Sequence, residues 1–538
     1  MIPDVFPDTV AWMFPDTSNI WQKRWTPVCD SWLFRSILVK VLLLQFPVVL
    51  AVLIFGEAVS QDGPAHLASG KISIEIIQRL PHVDSAYALQ VQPLPNWSGH
   101  LICMALARFC SLIWANRLLN LSTLLLPGLC LAWLYQLVRS ENSEAKWAVA
   151  FGLSLLSMNV VWTFGFTSFL TGLAFAWVLL AMIWKRLAGV SGGAFLLIAL
   201  GWCLLFVSHL VAFAIAGLVF GALLLFTPEI HLKHRFRMAF TTIPSLCLLG
   251  YYRSLTAGRP MELIWEHWQW SQWYSPANWV RQLGWVDPIS LASRNSIPFW
   301  GSGYRSGVLF QPVIWLSMAL GLMLVFHVVK VRELFASRLR GWLMAALLLG
   351  FMGVLGPDTL GKDQGHYLQQ RLLLAAFSLL FVTGLENSGR LVPFFIAVSW
   401  FLQMLFAVDY LWQSQTLISP VLSCLHQVES EDRLIVLTDA VPWQFRANPR
   451  LHRDSLLVWG NSDVVSWNLY EASHAYFPLV FREKQNRELA TDLERVSIEL
   501  AADQIVARTT LIESVLSRSD PRRSRLIILC DNHSDLLR

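Results

Sequence analysis

Charge is what this sequence has least of. Asp, Glu, Lys and Arg make up 14% of its 538 residues, against about a quarter in soluble domains. So few charges cannot clothe an ordinary water-facing surface, so water is excluded as the main solvent. Several chemical signatures are missing as well. There is no Walker phosphate loop, no Gly-x-Gly-x-x-Gly following a strand and no His-Glu-x-x-His, so nucleotide-driven transport and zincin chemistry lose their support. The eight cysteines, Cys29, Cys103, Cys110, Cys130, Cys203, Cys247, Cys424 and Cys530, contain no Cys-x-x-Cys and fall mostly in apolar runs. They read as small core residues, neither a disulfide framework nor a zinc site.

What is present is apolar: 55% of the residues are hydrophobic, and mean hydropathy is +0.50. The fold class this implies is an α-helical polytopic membrane protein. The length leaves room for about ten spans of roughly 20 residues each and one soluble domain. The net charge of +5 comes in short basic clusters between apolar runs, which suits orientation in a bilayer better than nucleic-acid binding.

Spanning runs stand out at 36–55, 118–138, 147–163, 169–184, 307–329, 341–355, 371–385 and 391–412. Residues 194–226 form one apolar run of 33, too long for a single untilted span, so a tight hairpin near Ser208-His209 is expected. Weaker candidates at 96–114 and 236–252 bring the expected total to about 11 or 12 crossings. The first run begins too late and runs too long for a cleaved signal peptide, so it reads as a signal anchor.

Lys23, Arg24 and Arg35 ahead of the first run place a cytoplasmic segment at 1–35. Lys330, Arg332, Arg338, Arg340 and Arg390 mark later cytoplasmic turns. The segments 56–96, 254–306 and 356–370 then become external loops of a membrane domain covering 36–412. Lys185-Arg186 and Lys233–Arg237 both favour the cytoplasm, and reconciling them depends on whether 96–114 crosses. Beyond Trp412 charges recur every few residues. Strands at Arg433–Thr438 and Arg525–Cys530 and an amphipathic helix at Asp503–Leu516 suggest a small α/β domain on the outer side, at 413–538.

The polar residues at the outer boundary are where chemistry would sit. Asp62-Gly63-Pro64-Ala65-His66 follows the first span, and Gly63-Pro64 reads as a helix start. Asp62 as N-cap would lie one turn from His66, a pair suited to holding a divalent metal or to base catalysis with an orienting imidazole. The same spacing also suits a plain helix cap. Trp97 and His100 close a proline-rich re-entry turn at 92–100. Lys362, His366 and Arg371 lie in the densest polar stretch near a boundary, where a guanidinium could grip a lipid-linked phosphate bidentately or simply snorkel to the headgroups. His209 sits inside an apolar run, where an ionisable residue either functions or satisfies a neighbouring helix. Seven tryptophans between Trp265 and Trp300 suit an interfacial helix pair, with stacking on sugars as the other use.

Asp62–His66, Pro93-Leu94-Pro95-Asn96-Trp97, Gly165-Phe166-Thr167-Ser168-Phe169, Phe206-Val207-Ser208-His209 and the segment Tyr470–Pro478 together resemble a group of bacterial polytopic membrane proteins with an Asp-Gly-Pro-x-His first external loop. That group in turn resembles the GT-C glycosyltransferases. The resemblance implies an inner-membrane enzyme moving a sugar from a polyprenyl-phosphate donor to a glycan, lipid or protein acceptor. It also implies an acidic residue of the first external loop, here Asp62, as base or metal ligand. This sequence departs from the paired acidic residues of many such loops, because Gln61 precedes Asp62. A lipid or polysaccharide transporter and a non-catalytic envelope assembly protein are the competing classes. The transporter is disfavoured by the absence of repeated halves.

Overall fold

The structure, a computed structural model, describes residues 36–482 and 524–529. The breaks are at 140–145, 188, 229, 257–262, 266, 294–295, 303–304, 330–337, 361–364, 385–390, 424–432, 439–442, 453–454, 461–464, 467–468 and 475–476. The expected cytoplasmic segment 1–35, the helix at Asp503–Leu516 and Lys362 lie outside the described residues.

The described chain is mostly helical. In order it runs α1 (Ile37–Ile54), α2 (Gly63–Ile77), α3 (Pro81–Ala86), β1 (Tyr87–Leu89), α4 (Trp97–Phe109), α5 (Leu112–Val138), α6 (Lys146–Ser157), α7 (Val160–Phe164), α8 (Thr167–Arg186), α9 (Gly192–Ser208) and α10 (Leu210–Phe226). Then come α11 (Leu232–Ala239), α12 (Ile243–Leu255), α13 (Pro276–Val286), β2 (Ser296–Ile297), β3 (Gly301–Ser302), α14 (Pro312–Val329), α15 (Arg340–Leu355), α16 (Leu368–Gly384) and α17 (Leu391–Ser423). The C-terminal part adds β4 (Arg433–Thr438), α18 (Ser455–Gly460), β5 (Val465–Ser466), α19 (Tyr470–Ser473), β6 (Leu479–Phe481) and β7 (Ser524–Leu529).

Among the described residues, five helical stretches are long and apolar enough to cross a membrane: α1, α5, α6 with α7, α8 and α17. Shorter apolar helices, among them α9, α10 and α15, accompany them. Their side-chain distribution is inverted relative to a soluble protein. On α1 the outer face carries Leu43, Phe46 and Ile54, the last 60% exposed, while Lys40 and Gln45 are buried. Gln403 and Asp409 of α17 are likewise fully buried. Apolar outside and polar inside is the arrangement that hydrocarbon surroundings select, because lipid solvates leucine and only protein can satisfy an amide.

The long apolar run breaks at His209, whose extended backbone (φ −166°) interrupts the helix for one residue. Trp202 of α9 then packs on Phe220 of α10, ring centroids 5.3 Å apart. On one straight helix these residues would be roughly 27 Å apart, so the chain folds back here as a hairpin. The run at 236–252 is interrupted by a 3-10 turn at Phe240–Thr242. The last span continues past Trp412 to Ser423, making a helix of 33 residues, or about 50 Å. That exceeds a hydrocarbon core of about 30 Å, and the surplus projects into the head described below.

One end of the bundle collects the basic side chains. Arg139 donates to the carbonyls of Val382 and Thr383, capping the C-terminus of α16. Lys185 lies over Trp133, Arg338 over Trp184 and Arg340 over Phe226. Arg235 donates to the carbonyls of Leu225, Thr227 and Ile230. The two clusters that pulled against each other in the sequence therefore share an end. They can because α4, at 13 residues, lies against α2 without crossing. A Cβ on Gly70 would come within 2.5 Å of the Cys103 carbonyl carbon, so the close approach of these two helices depends on that glycine.

The opposite end is a head built from distant segments. β1 pairs antiparallel with β6, Tyr87 opposite Phe481 and Leu89 opposite Leu479. β4 is the middle strand of a three-stranded parallel sheet ordered β5-β4-β7. Between these strands, residues 443–452 and 455–460 run as a strap over the bundle. Gln444 Nε2 donates to Asp409, Arg446 to the carbonyls of Trp285 and Asp287, and Lys71 of α2 to the carbonyls of Val458 and Trp459.

Candidate active site at the head of the bundle

The loop joining α1 to α2 is held from three directions. Asn116 and Asn120 of α5 donate to the Ala58 carbonyl. From α17, Tyr410 Oη donates to the Val59 carbonyl at 2.9 Å, and Ser414 Oγ bonds both the N–H and the carbonyl of the same residue. The backbone N–H groups of Gln61 and Asp62 then donate to the carbonyls of Thr163 and Phe164. The turn that receives them ends at Gly165, with φ +81°. A Cβ there would come within 2.6 Å of Ser60 Oγ and 2.9 Å of the Gly63 nitrogen. Glycine is thus required twice over, for the left-handed backbone and for the contact.

Asp62 stands at the N-cap position of α2 and is buried, 8% exposed. Its carboxylate does not cap the helix: the backbone is helical (φ −94°, ψ −9°), and no side-chain cap bond forms. The expectation of a capping Asp62 is therefore corrected. With the backbone in the helical region the carboxylate is turned away from the orphan N–H groups, since capping needs an extended N-cap residue. Asp62 Oδ1 instead faces Gln61 Nε2 at 3.4 Å and His452 Nε2 at 3.7 Å.

His66 is placed differently from expectation too. Its link to Asp62 is a backbone bond, His66 N–H to the Asp62 carbonyl. Its ring is oriented by the buried Glu471, which meets Nδ1 in an ion pair. Burial works against a charged ring, yet Glu471, with help from the Asp62 charge and a hydrogen bond to the Gly165 backbone, raises the His66 pKa above its ordinary value. Burial would likewise raise Glu471, and the His66 charge overrides it, holding that carboxyl below its ordinary value. Both partners are thus shifted toward their charged forms.

The remaining residues divide. His100 Nε2 meets Ser73 Oγ at 2.8 Å, while that hydroxyl donates to the Ser69 carbonyl, so His100 is the donor and neutral. Burial pushes its pKa down to about 4. It braces α4 against α2. His209 accepts from the N–H groups of Val211 and Ala212, so its burial is explained by capping α10 at the hairpin. Trp97 Nε1 donates to the Gln92 carbonyl and closes the re-entry turn. His366 is exposed. Arg371 is buried, its guanidinium over Phe166 at 4.3 Å and Phe169 at 5.3 Å. Asp62 and Arg371 therefore meet the same turn: Phe164 holds the Asp62 backbone, and Phe166, two residues on, carries Arg371.

The tryptophan segment forms one helix, α13, preceded by a 3-10 turn at Trp270–Gln272. Its packing is inside out. Asn278 and Gln282 are buried while Val280, Leu283, Trp273 and Tyr274 are exposed, as an interfacial element facing lipid requires. Trp285 leaves this face and donates to Asp358 at 2.6 Å.

No group of three or more potential metal-ligating side chains occurs among the described residues. Sequence reasoning missed His452 and the reach of Gln61. The run Arg446-Ala447-Asn448-Pro449-Arg450-Leu451-His452-Arg453 carried the signal, a turn dipeptide inside a cluster of basic side chains. No known family model matches the chain, and no curated protein or solved structure matches it.

Proposed function

We propose that the head of the bundle is the active site of a bacterial inner-membrane glycosyltransferase of GT-C type. It would take a sugar from a polyprenyl-phosphate donor and pass it to an acceptor on the outer face. The basic end faces the cytoplasm under the positive-inside rule, which leaves the head outside. Asp62 takes the proton of an acceptor hydroxyl as its oxygen attacks the anomeric carbon; the bond from that carbon to the phosphate oxygen breaks, and polyprenyl phosphate leaves. Arg371, its guanidinium over Phe166 and Phe169, would meet the donor phosphate with its planar fork. The observation that carries this reading is the shared turn at 163–166, which a buried carboxylate and a buried guanidinium both meet.

The test is transfer from radiolabelled undecaprenyl-phosphate hexoses in proteoliposomes holding the purified protein. The wild type is expected to consume donor and label an acceptor, and Arg371→Ala to raise the donor KM. Full transfer by Asp62→Asn would remove Asp62 as base. Movement of intact donor between leaflets would point to a transporter, and inertness toward every donor to an assembly protein.

A further inference from the structure

We infer that His452, delivered by the C-terminal strap, is the second catalytic group of this site and works with Asp62 on the acceptor hydroxyl, an inference that rests on the glycosyltransferase reading. His66, the imidazole nearest in sequence, is already committed. Its Nδ1 is on Glu471, and its ring lies beside Phe477, centroids 6.4 Å apart. A ring whose Nδ1 is held by a carboxylate ties α2 to α19.

His452 is placed by a device that begins at Gln61. The Gln61 side chain points its Nε2 at Asp62 Oδ1, and its Oε1 accepts the Asn448 N–H at 3.0 Å. Asn448 in turn organises the strap. Its Oδ1 accepts from the Arg450 N–H and its carbonyl from the Leu451 N–H. This is the local closure expected of Asn before Pro, and it carries the chain round to His452, whose carbonyl accepts from the Ser455 N–H. An amide can donate toward Asp62 with one atom and accept from Asn448 with the other. The residue that departs from the acidic pair of the resembling loops thereby acquires a reason: a carboxylate at position 61 would repel Asp62.

The geometry of the pair suits a shared hydroxyl. His452 Nε2 and Asp62 Oδ1 are 3.7 Å apart, with His452 6% and Asp62 8% exposed. That is beyond a direct hydrogen bond, yet one oxygen can lie about 2.8 Å from both. Such an oxygen would accept from the His452 N–H, give its proton to Asp62, and keep its second lone pair for the anomeric carbon. The ligand class this selects is a hydroxyl-bearing acceptor.

The experiment compares His452→Phe and His452→Gln with the wild type in proteoliposomes, measuring transfer kcat and acceptor KM. Binding of undecaprenyl phosphate is followed by native mass spectrometry and thermal unfolding in detergent. His452→Phe is expected to lower kcat by about 100-fold or more, with undecaprenyl phosphate binding and Tm unchanged. His452→Gln, which keeps an N–H donor, should recover a large part of the loss. Wild-type kcat in His452→Phe overturns the inference, as does an equal loss in both variants accompanied by a fall in Tm, which marks a structural role. A wild type that consumes no donor overturns the glycosyltransferase reading itself, an outcome separate from either.

Discussion

The two ends of this bundle are held together by different kinds of contact. At the basic end, Arg139, Arg235, Arg338 and Arg340 meet carbonyls and aromatic faces of neighbouring helices. Such contacts are individually modest and partly solvated. At the head, an ion pair joins residues 405 positions apart, and the strap stitches α2, α17 and the end of α13 into one body. The basic end needs orientation and tolerance; the head needs fixed geometry, because a site misplaced by about 1 Å can lose two orders of magnitude in rate.

This contrast can be broken most severely at Asp62. Asp62→Asn should keep expression, membrane insertion and thermal stability while transfer falls about 10²–10⁴-fold. Radiolabel transfer at equal protein loading measures it. Next comes Glu471→Gln, which strands the buried His66 charge and should cost about 3–5 kcal/mol, read as a lower unfolding temperature. If Tm is unchanged, the pair is not holding the head.

Acidity probes the same pair with opposite signs. His66 has a raised pKa, so its contribution is complete below its ordinary 6.5 and is lost as pH climbs through the raised value. Glu471 has a lowered pKa, so its contribution is complete above its ordinary 4.5 and is lost as pH falls through the lowered value. Unfolding temperature should therefore plateau between these ordinary values. The double variant His66→Gln with Glu471→Gln should flatten the profile, and a profile that keeps its shape would assign the pH dependence elsewhere.

Gly165→Ala should cost about 1–3 kcal/mol through its left-handed backbone and reduce transfer by displacing the Asp62 loop. Last and smallest, Arg139→Gln at the basic end should change stability by about 1 kcal/mol or less, with transfer intact. A large loss of transfer there would erase the distinction between the ends.

How much of this was legible beforehand follows from the range of each interaction. The apolar runs, the fold-back near His209 and the strand at Arg433–Thr438 are local patterns and could be read from composition and period. The start of α2 was legible from Gly63-Pro64. The role of Asp62 as a cap was not, because the loop is set by the carbonyls of Thr163 and Phe164, which lie about a hundred residues away. Crossing by 96–114 was undecided for a similar reason. Hydropathy cannot tell a short helix lying against α2 from one that spans. β1 and β6 have three residues each, too few to show a period. The partnership of His66 with Glu471 and the arrival of His452 beside Asp62 exist only once the chain has closed on itself, so no window of neighbouring residues contains them.

That closure also sets a schedule for making the protein. When α2 leaves the ribosome, Glu471, His452 and β6 are still to be translated. At about 5–20 residues per second, the 405 residues between His66 and Glu471 take roughly 20–80 s. During that time the segment after α1 has no partner strand for β1 and no carboxylate for His66. The head can close only after α17 has been inserted, so a ribosome stalled within α17 would leave a chain with its helices in the bilayer and its site unbuilt. A quality-control protease would meet such a chain as an open strand edge.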